Sequence, residues 1–141
     1  MNVSEVMTAQ VVTATPASTI TEIARMMARI ESGAVPVVED DKVVGLITDR
    51  DIVIRVIAEG LGLDRPVSEV MSEDVQTCTE DDNVADAAAK MGSHQIRRLV
   101  VLNERGRLTG ILSLGDIAQD YGAKAVGRTL EEISEDTPAA H

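Results

Sequence analysis

Gly45-Leu46-Ile47-Thr48-Asp49-Arg50-Asp51-Ile52 returns later in the chain as Gly110-Ile111-Leu112-Ser113-Leu114-Gly115-Asp116-Ile117. Each copy runs from an apolar stretch of strand character to a hydroxyl residue, then to an aspartate three positions on, then to apolar residues able to continue as a helix. Both are strand-to-helix corners. The first N–H groups of a helix lack internal partners and carry the positive end of its macrodipole, so such a corner can hold an anion such as phosphate. Thr48 and Ser113 add a hydroxyl, and the ionised carboxylates of Asp51 and Asp116 match the paired hydroxyls of a ribose. Thr48-x-x-Asp51 and Ser113-x-x-Asp116 equally fit a capping box, in which the two side chains satisfy the helix's own backbone. Both readings stand at this level.

The duplication extends outward from the corners. Val3-Ser4-Glu5-Val6-Met7-Thr8 matches Val67-Ser68-Glu69-Val70-Met71-Ser72 at an offset of 67 − 3 = 64, whereas the glycines give 110 − 45 = 65. The extra residue falls between Glu39-Asp40-Asp41-Lys42 and Asn103-Glu104-Arg105-Gly106-Arg107, polar stretches that read as hairpin turns. Each repeat opens with a short segment, followed by a β-prone piece at Val11-Val12-Thr13 or Val75-Gln76-Thr77. A helix comes next, signalled by Thr19-x-x-Glu22 and Asn83-x-x-Asp86. Its buried face is Ile20, Ile23, Ala24, Met27 in one copy and Val84, Ala87, Ala88, Met91 in the other.

Two strands joined by the hairpin follow, Ala34 to Val38 with Val43 to Ile47, and Arg98 to Leu102 with Leu108 to Leu112. Pro36 lacks an N–H, which predicts an edge or the start of the ladder at that strand. After the first corner a helix is predicted from Asp49 to Glu59, stopped by Gly60. The second corner's helix is weaker, with Gly115 in its first turn. The organisation is thus repeat 1 over 1–60, a linker over 61–66, repeat 2 over 67–121 and an extension over 122–141. Within the extension, Lys124 to Ile133 reads as an extra helix and Ser134 to His141 as a disordered tail.

Composition limits the function. At 141 residues the chain can build one compact domain or two half-size units sharing a core. Apart from Tyr121 the apolar residues are aliphatic, so any bound base packs between Val, Ile, Leu or Met. The net charge of −11 repels phosphate backbones and anionic lipid, which argues against nucleic acid and membrane partners. Arg50, Arg97 and Arg98 are the local exceptions beside the corners. No apolar run approaches the ~18 residues of a membrane span. One cysteine, Cys78, cannot form an internal disulfide, and no leader-like N-terminal pattern is present, so a cytoplasmic location is expected.

Catalytic constellations are missing. Only His94 and His141 offer imidazole, Cys78 matches Ala14 of the first repeat as a small buried residue, and no Gly-x-x-x-x-Gly-Lys-Ser/Thr loop occurs. Binding without turnover, with no catalytic residue and no metal site, is the expectation.

A duplicated unit of opening turn, strand, helix, hairpin and helix, with Gly-x-x-Thr/Ser-x-x-Asp at its last corner, resembles the CBS-domain family over about residues 1 to 121. The resemblance implies an α+β fold of two pseudo-symmetric β-α-β-β-α repeats packed through their sheets as one CBS-pair module. It further implies two clefts between the repeats that bind adenosine-containing ligands, and dimerisation. Carried onto this chain, Asp51 and Asp116 hold ribose hydroxyls, Thr48 and Ser113 meet phosphate or ribose oxygens, and Thr13, Thr77 and the backbone around Val35 and Leu99 frame the base. In related domains basic residues often sit just before the strand that Ala34 or Arg98 begins and contact phosphate; Arg97-Arg98 matches and Gly33-Ala34 does not. With Arg50 also present in one copy only, the two clefts are expected to differ in charge. The implied function is a regulatory sensor of AMP, ADP, ATP or another adenosyl compound, with no required cofactor, signalling through a homodimer or a regulated protein. The alternative is an oligomerisation or scaffold module whose corners are only caps.

Overall fold

The structure, a computed structural model, describes residues 1–120 and 123–134. It is a mixed α+β chain of five strands and five helices among the described residues. The expected tail lies outside them from residue 135 onward. No described helix is long and apolar enough to cross a membrane. Two compact units form: a first-repeat unit over residues 11–75, and a second-repeat unit that joins residues 1–10 to the described residues from 76 onward.

In the first-repeat unit, Thr19 caps α1 (Ile20–Ile30) by accepting the Glu22 N–H at 3.2 Å, and Ile20, Ile23 and Met27 turn inward. Strands β1 (Ala34–Glu39) and β2 (Lys42–Thr48) pair antiparallel through a two-residue loop, Asp40-Asp41, both at positive φ. That backbone matches the twist of the flanking strands. Val35, Val37 and Ile47 join the helix face in one aliphatic core.

The second-repeat unit repeats this plan with α3 (Val84–His94), β4 (Arg98–Leu102) and β5 (Leu108–Ser113), and adds a parallel edge strand, β3 (Thr77–Thr79). The difference traces to Pro36. Val100 donates its N–H to Gln76 O at 3.1 Å, while its counterpart Pro36 has no N–H to give to Val12. In place of the parallel ladder the first-repeat unit keeps one parallel bridge, Ala14 to Val37, held by Ala14 N to Pro36 O and Val38 N to Ala14 O. The β-prone Val11-Val12-Thr13 forms no strand, and the second copy's strand begins at Thr77 rather than Val75.

The opening segments cross over. Val3 donates to Asp82 O and Val84 to Met1 O, so Val3 and Val6 enter the second-repeat core; Val67 donates to Ser18 O and Ser68 to Pro16 O, so Val67 and Val70 enter the first. The sequence repeats and the compact units thus have different boundaries. Each incoming segment then bridges the last strand, Thr8 with Ile111 and Ser72 with Leu46. This close approach explains the motif's glycine. A Cβ at Gly110 would stand 2.7 Å from the Met7 sulfur, and one at Gly45 would collide with Met71.

Two helical expectations change. The predicted helix from Asp49 to Glu59 is one α-turn, α2 (Asp49–Asp51), followed by a π-wound stretch, Ile52–Ile57, with i→i−5 bonds from Ala58 to Val53 and from Leu61 to Val56. The β-branched run Ile52-Val53-Ile54 crowds an α-turn, consistent with the wider winding. Ala24 is exposed, whereas its counterpart Ala88 is buried. The cause is α5 (Ala123–Ser134), which packs on α3 and has no equivalent in the first-repeat unit.

Candidate functional site

Both corners close as capping boxes. Asp51 donates its N–H to Thr48 Oγ1 at 3.1 Å while Asp51 Oδ2 accepts the Thr48 N–H at 2.9 Å. At the start of α4 (Leu114–Asp120) the same pair is Asp116 N to Ser113 Oγ at 3.1 Å and Ser113 N to Asp116 Oδ2 at 3.0 Å. Capping uses one carboxylate oxygen of each aspartate. The other, Oδ1, faces Arg55 Nε at 3.8 Å in Asp51 and the Thr8 hydroxyl at 3.3 Å in Asp116. Capping therefore leaves Oδ1 of each carboxylate to other partners.

The corners differ in what they leave open. At the first, Asp49 N donates to Gly33 O, Arg50 N to Asp49 Oδ1 and Asp51 N to Thr48 Oγ1, so three successive donors are taken. At the second, Leu114 N donates to Arg97 O and Asp116 N to Ser113 Oγ, while no described residue takes the N–H of Gly115. A free N–H at a helix start is the donor an anion requires.

Basic side chains follow the same asymmetry. Arg98 pairs with Ser113 across β4 and β5, and Arg97, Arg98, Ser113, Leu114 and Gly115 line a cavity of about 410 Å³ that Ala118 and Leu130 complete. Neither guanidinium is held in an ion pair with a described residue. In the first-repeat unit Gly33 and Ala34 stand in their places. The Asp49 carboxylate packs over Gly33, where a Cβ would lie 2.6 Å from its oxygen. One corner gathers two cations; the other covers the equivalent spot with an anion, beside the exposed Arg50.

The remaining candidates are dispersed. Thr48 and Asp51 share the first corner with Arg50, while Thr13 is exposed just before the Ala14 bridge. Val35 and Leu99 are fully buried, so a ligand would meet their main chain. Thr77 is half-buried on β3, its carbonyl accepting the Lys90 ammonium, and Thr77, Leu99 and Asp116 stand outside the cavity lining. Sequence reasoning missed Thr8 and Arg55. Thr8 was signalled by the duplicated Met-Thr/Ser of the opening segments, and Arg55 by its i+4 spacing from Asp51 on a helix. Arg55 also donates to Val70 O at 3.2 Å, and its counterpart is Asp120.

Cys78 lies inside the second-repeat core, and burial first, then the Asp82 carboxylate, pushes its thiol up to about 11. It is a neutral packing group at physiological pH. Among the described residues no group of three His, Cys, Asp or Glu side chains gathers as a metal donor set.

The family model described as "CBS domain" matches residues 3–58 and again 67–121. The CBS domain-containing protein YhcV of Bacillus subtilis is 40% identical over 134 residues, covering 94% of this chain and 95% of its own. Among solved structures, CBS domain protein PAE2072 from Pyrobaculum aerophilum, complexed with AMP, superposes with a TM-score of 0.78 at 29% identity, covering 92% of this chain and 98% of that one. The CBS domain pair of protein MJ0100, in complex with 5-methylthioadenosine and S-adenosyl-L-methionine, gives 0.78 at 28% identity, covering 88% and 98%.

Proposed function

The chain belongs to the CBS-domain family, whose model matches it twice, and from that premise we propose that it is a regulatory module binding an adenosyl compound at its strand-to-helix corners. The observation that carries the reading is the cavity where Arg97, Arg98 and Ser113 converge beside the open Gly115 N–H. Two guanidinium groups, a hydroxyl and a helix-start amide form a donor set for phosphate. The AMP complex of PAE2072 and the S-adenosyl-L-methionine complex of MJ0100 support the same ligand class. Asp116 Oδ1 and Asp51 Oδ1 are the ribose acceptors in this reading, with Thr13, Thr77 and the backbone of Val35 and Leu99 toward the base.

Occupancy is read out by a homodimer or a regulated protein, without turnover. Val53, Ile54 and Ile57, about half exposed on one helical face, support a contact surface of that kind. A reducing, cytoplasmic setting belongs to the same proposal and suits a single buried thiol.

A scaffold reading has its own support, since each capping box closes between its own two residues. Calorimetric titration with AMP, ATP and S-adenosylmethionine, together with mass spectrometry of what co-purifies, separates the two. Saturable binding of any of them supports the sensor, and no heat from any at millimolar concentration leaves the scaffold.

A further inference from the structure

Helix α5 lies beyond the second matched repeat, which ends at residue 121, yet it is built into the second-repeat unit. Thr129 is buried and its hydroxyl donates to Ala88 O at 3.4 Å, and Ile133 is 2% exposed within the core. Gln95 Nε2 donates to Glu132 O at 3.4 Å, and a Cβ at Gly92 would overlap the Glu132 side chain, so α3 is shaped for this neighbour. Thr129 and Ile133, four residues apart, anchor one face. Leu130, on the adjoining face and 37% exposed, lines the arginine cavity.

We propose that α5 is the response element of the second-repeat site: Leu130 forms the apolar wall facing Arg97 and Arg98, and a ligand filling the cavity fixes α5 against α3. The proposal rests on the adenosyl-binding reading above. A ligand that touches α5 only when the helix is docked must, by linkage, favour the docked state by as much as docking favours the ligand. The first-repeat unit lacks the device. There the chain after Gly60 runs back along the start of α1, with Ile20 N on Arg65 O and Thr21 N on Leu63 O. Occupancy of the two corners therefore has different consequences, and only the second is transmitted to the C-terminal helix.

The test is hydrogen exchange and calorimetry on the full chain with AMP as probe. We expect AMP to slow exchange at residues 127–134 as well as at 113–117. Leu130→Ala should weaken AMP about three- to tenfold at one site through lost apolar contact, and should abolish the added protection of α5. Leu130→Glu, placing a carboxylate beside the guanidinium pair, should weaken AMP further. Protection confined to 113–117, with Leu130→Ala binding like the wild type, overturns this proposal and leaves the sensor reading standing. No heat and no protection anywhere with millimolar AMP overturns it together with that reading for AMP.

Discussion

Thr8 Oγ1 lies 3.3 Å from Asp116 Oδ1, although 108 residues separate them. The contact exists because the opening segment crosses to the second-repeat unit and bridges β5 at Ile111. The hydroxyl reaches both carboxylate oxygens, nearer to Oδ1, which capping leaves over, than to Oδ2 at 3.5 Å. We expect Thr8→Val to weaken nucleotide at that site about threefold, the worth of under ~1 kcal/mol for an exposed hydrogen bond. Melting of the free protein should be almost unaffected. A loss shared equally by both sites in a titration would contradict this placement.

Charge should sort ligands between the corners. Arg97, Arg98 and the Gly115 N–H favour a phosphate, whereas Asp49 over Gly33 repels one. Arg98→Gln should lower AMP affinity about tenfold, the worth of a charge-assisted contact of 1.5 kcal/mol or more, and should reduce its dependence on salt. A nucleoside without phosphate should be indifferent to the substitution. Equal losses for adenosine and AMP would remove the phosphate assignment.

Cys78 gives an alkaline signature. The folded thiol is raised to about 11 from an ordinary 9.0, so the folded state holds the proton more tightly than the unfolded chain. Its contribution is complete below about pH 9 and is lost as pH rises through about 11, by up to ~3 kcal/mol. Cys78→Ala, copying Ala14 of the first repeat, should flatten the fall in denaturant midpoint between pH 9 and 11. An unchanged slope would show that another group controls it.

Pro36 can be tested by restoring what it lacks. Pro36→Val supplies an N–H opposite Val12 O, where Val100 already donates to Gln76 O. The added bond, about 0.5–1.5 kcal/mol, is offset by the looser unfolded chain, about 0.4–1 kcal/mol, so stability should move little. The new amide at position 36 should nonetheless be protected in hydrogen exchange. Exchange as fast as a free amide would show that the parallel ladder is limited by something other than proline.

Local patterns were the legible part of the fold. The caps at Thr19 and Asn83, the hairpins and both Gly-x-x-Thr/Ser-x-x-Asp corners follow from short-range chemistry that spacing displays. The crossing of Val3 and Val67 into opposite units was not visible, because both segments have the same sequence and either could pair with either repeat. Ala24 and Ala88 look alike in periodicity, and only the packing of α5 separates them. Thr48, Asp51, Ser113 and Asp116 fell where capping logic puts them, and Arg50 N–H is taken by the carboxylate of Asp49 just before it, where Leu114 precedes Gly115 and offers none. The packing of that carboxylate over Gly33 is set by three-dimensional space and not by spacing.

The two aspartates separate sensing from capping. Asp51→Asn and Asp116→Asn keep an amide oxygen that can accept the Thr48 or Ser113 N–H, so each capping box retains its acceptor and the free protein should melt almost as the wild type does. At Asp51 the ion pair with Arg55 is also lost, but at 3.8 Å with Arg55 half exposed it contributes at most a few tenths of a kcal/mol. What the amide cannot supply is the second charged oxygen that accepts from a ribose hydroxyl. Losing charge-assisted bonds of about 1.5–3 kcal/mol lowers affinity at the altered corner about 10- to 150-fold, and thermal protection by AMP should fall with it. Asp51→Ala and Asp116→Ala remove the cap as well and should cost ~1 kcal/mol of stability each. Asn variants that melt normally and bind AMP as tightly as the wild type would take the ribose role away from these carboxylates, whereas Ala variants that lose stability in a protein that binds no nucleotide would leave them as caps alone.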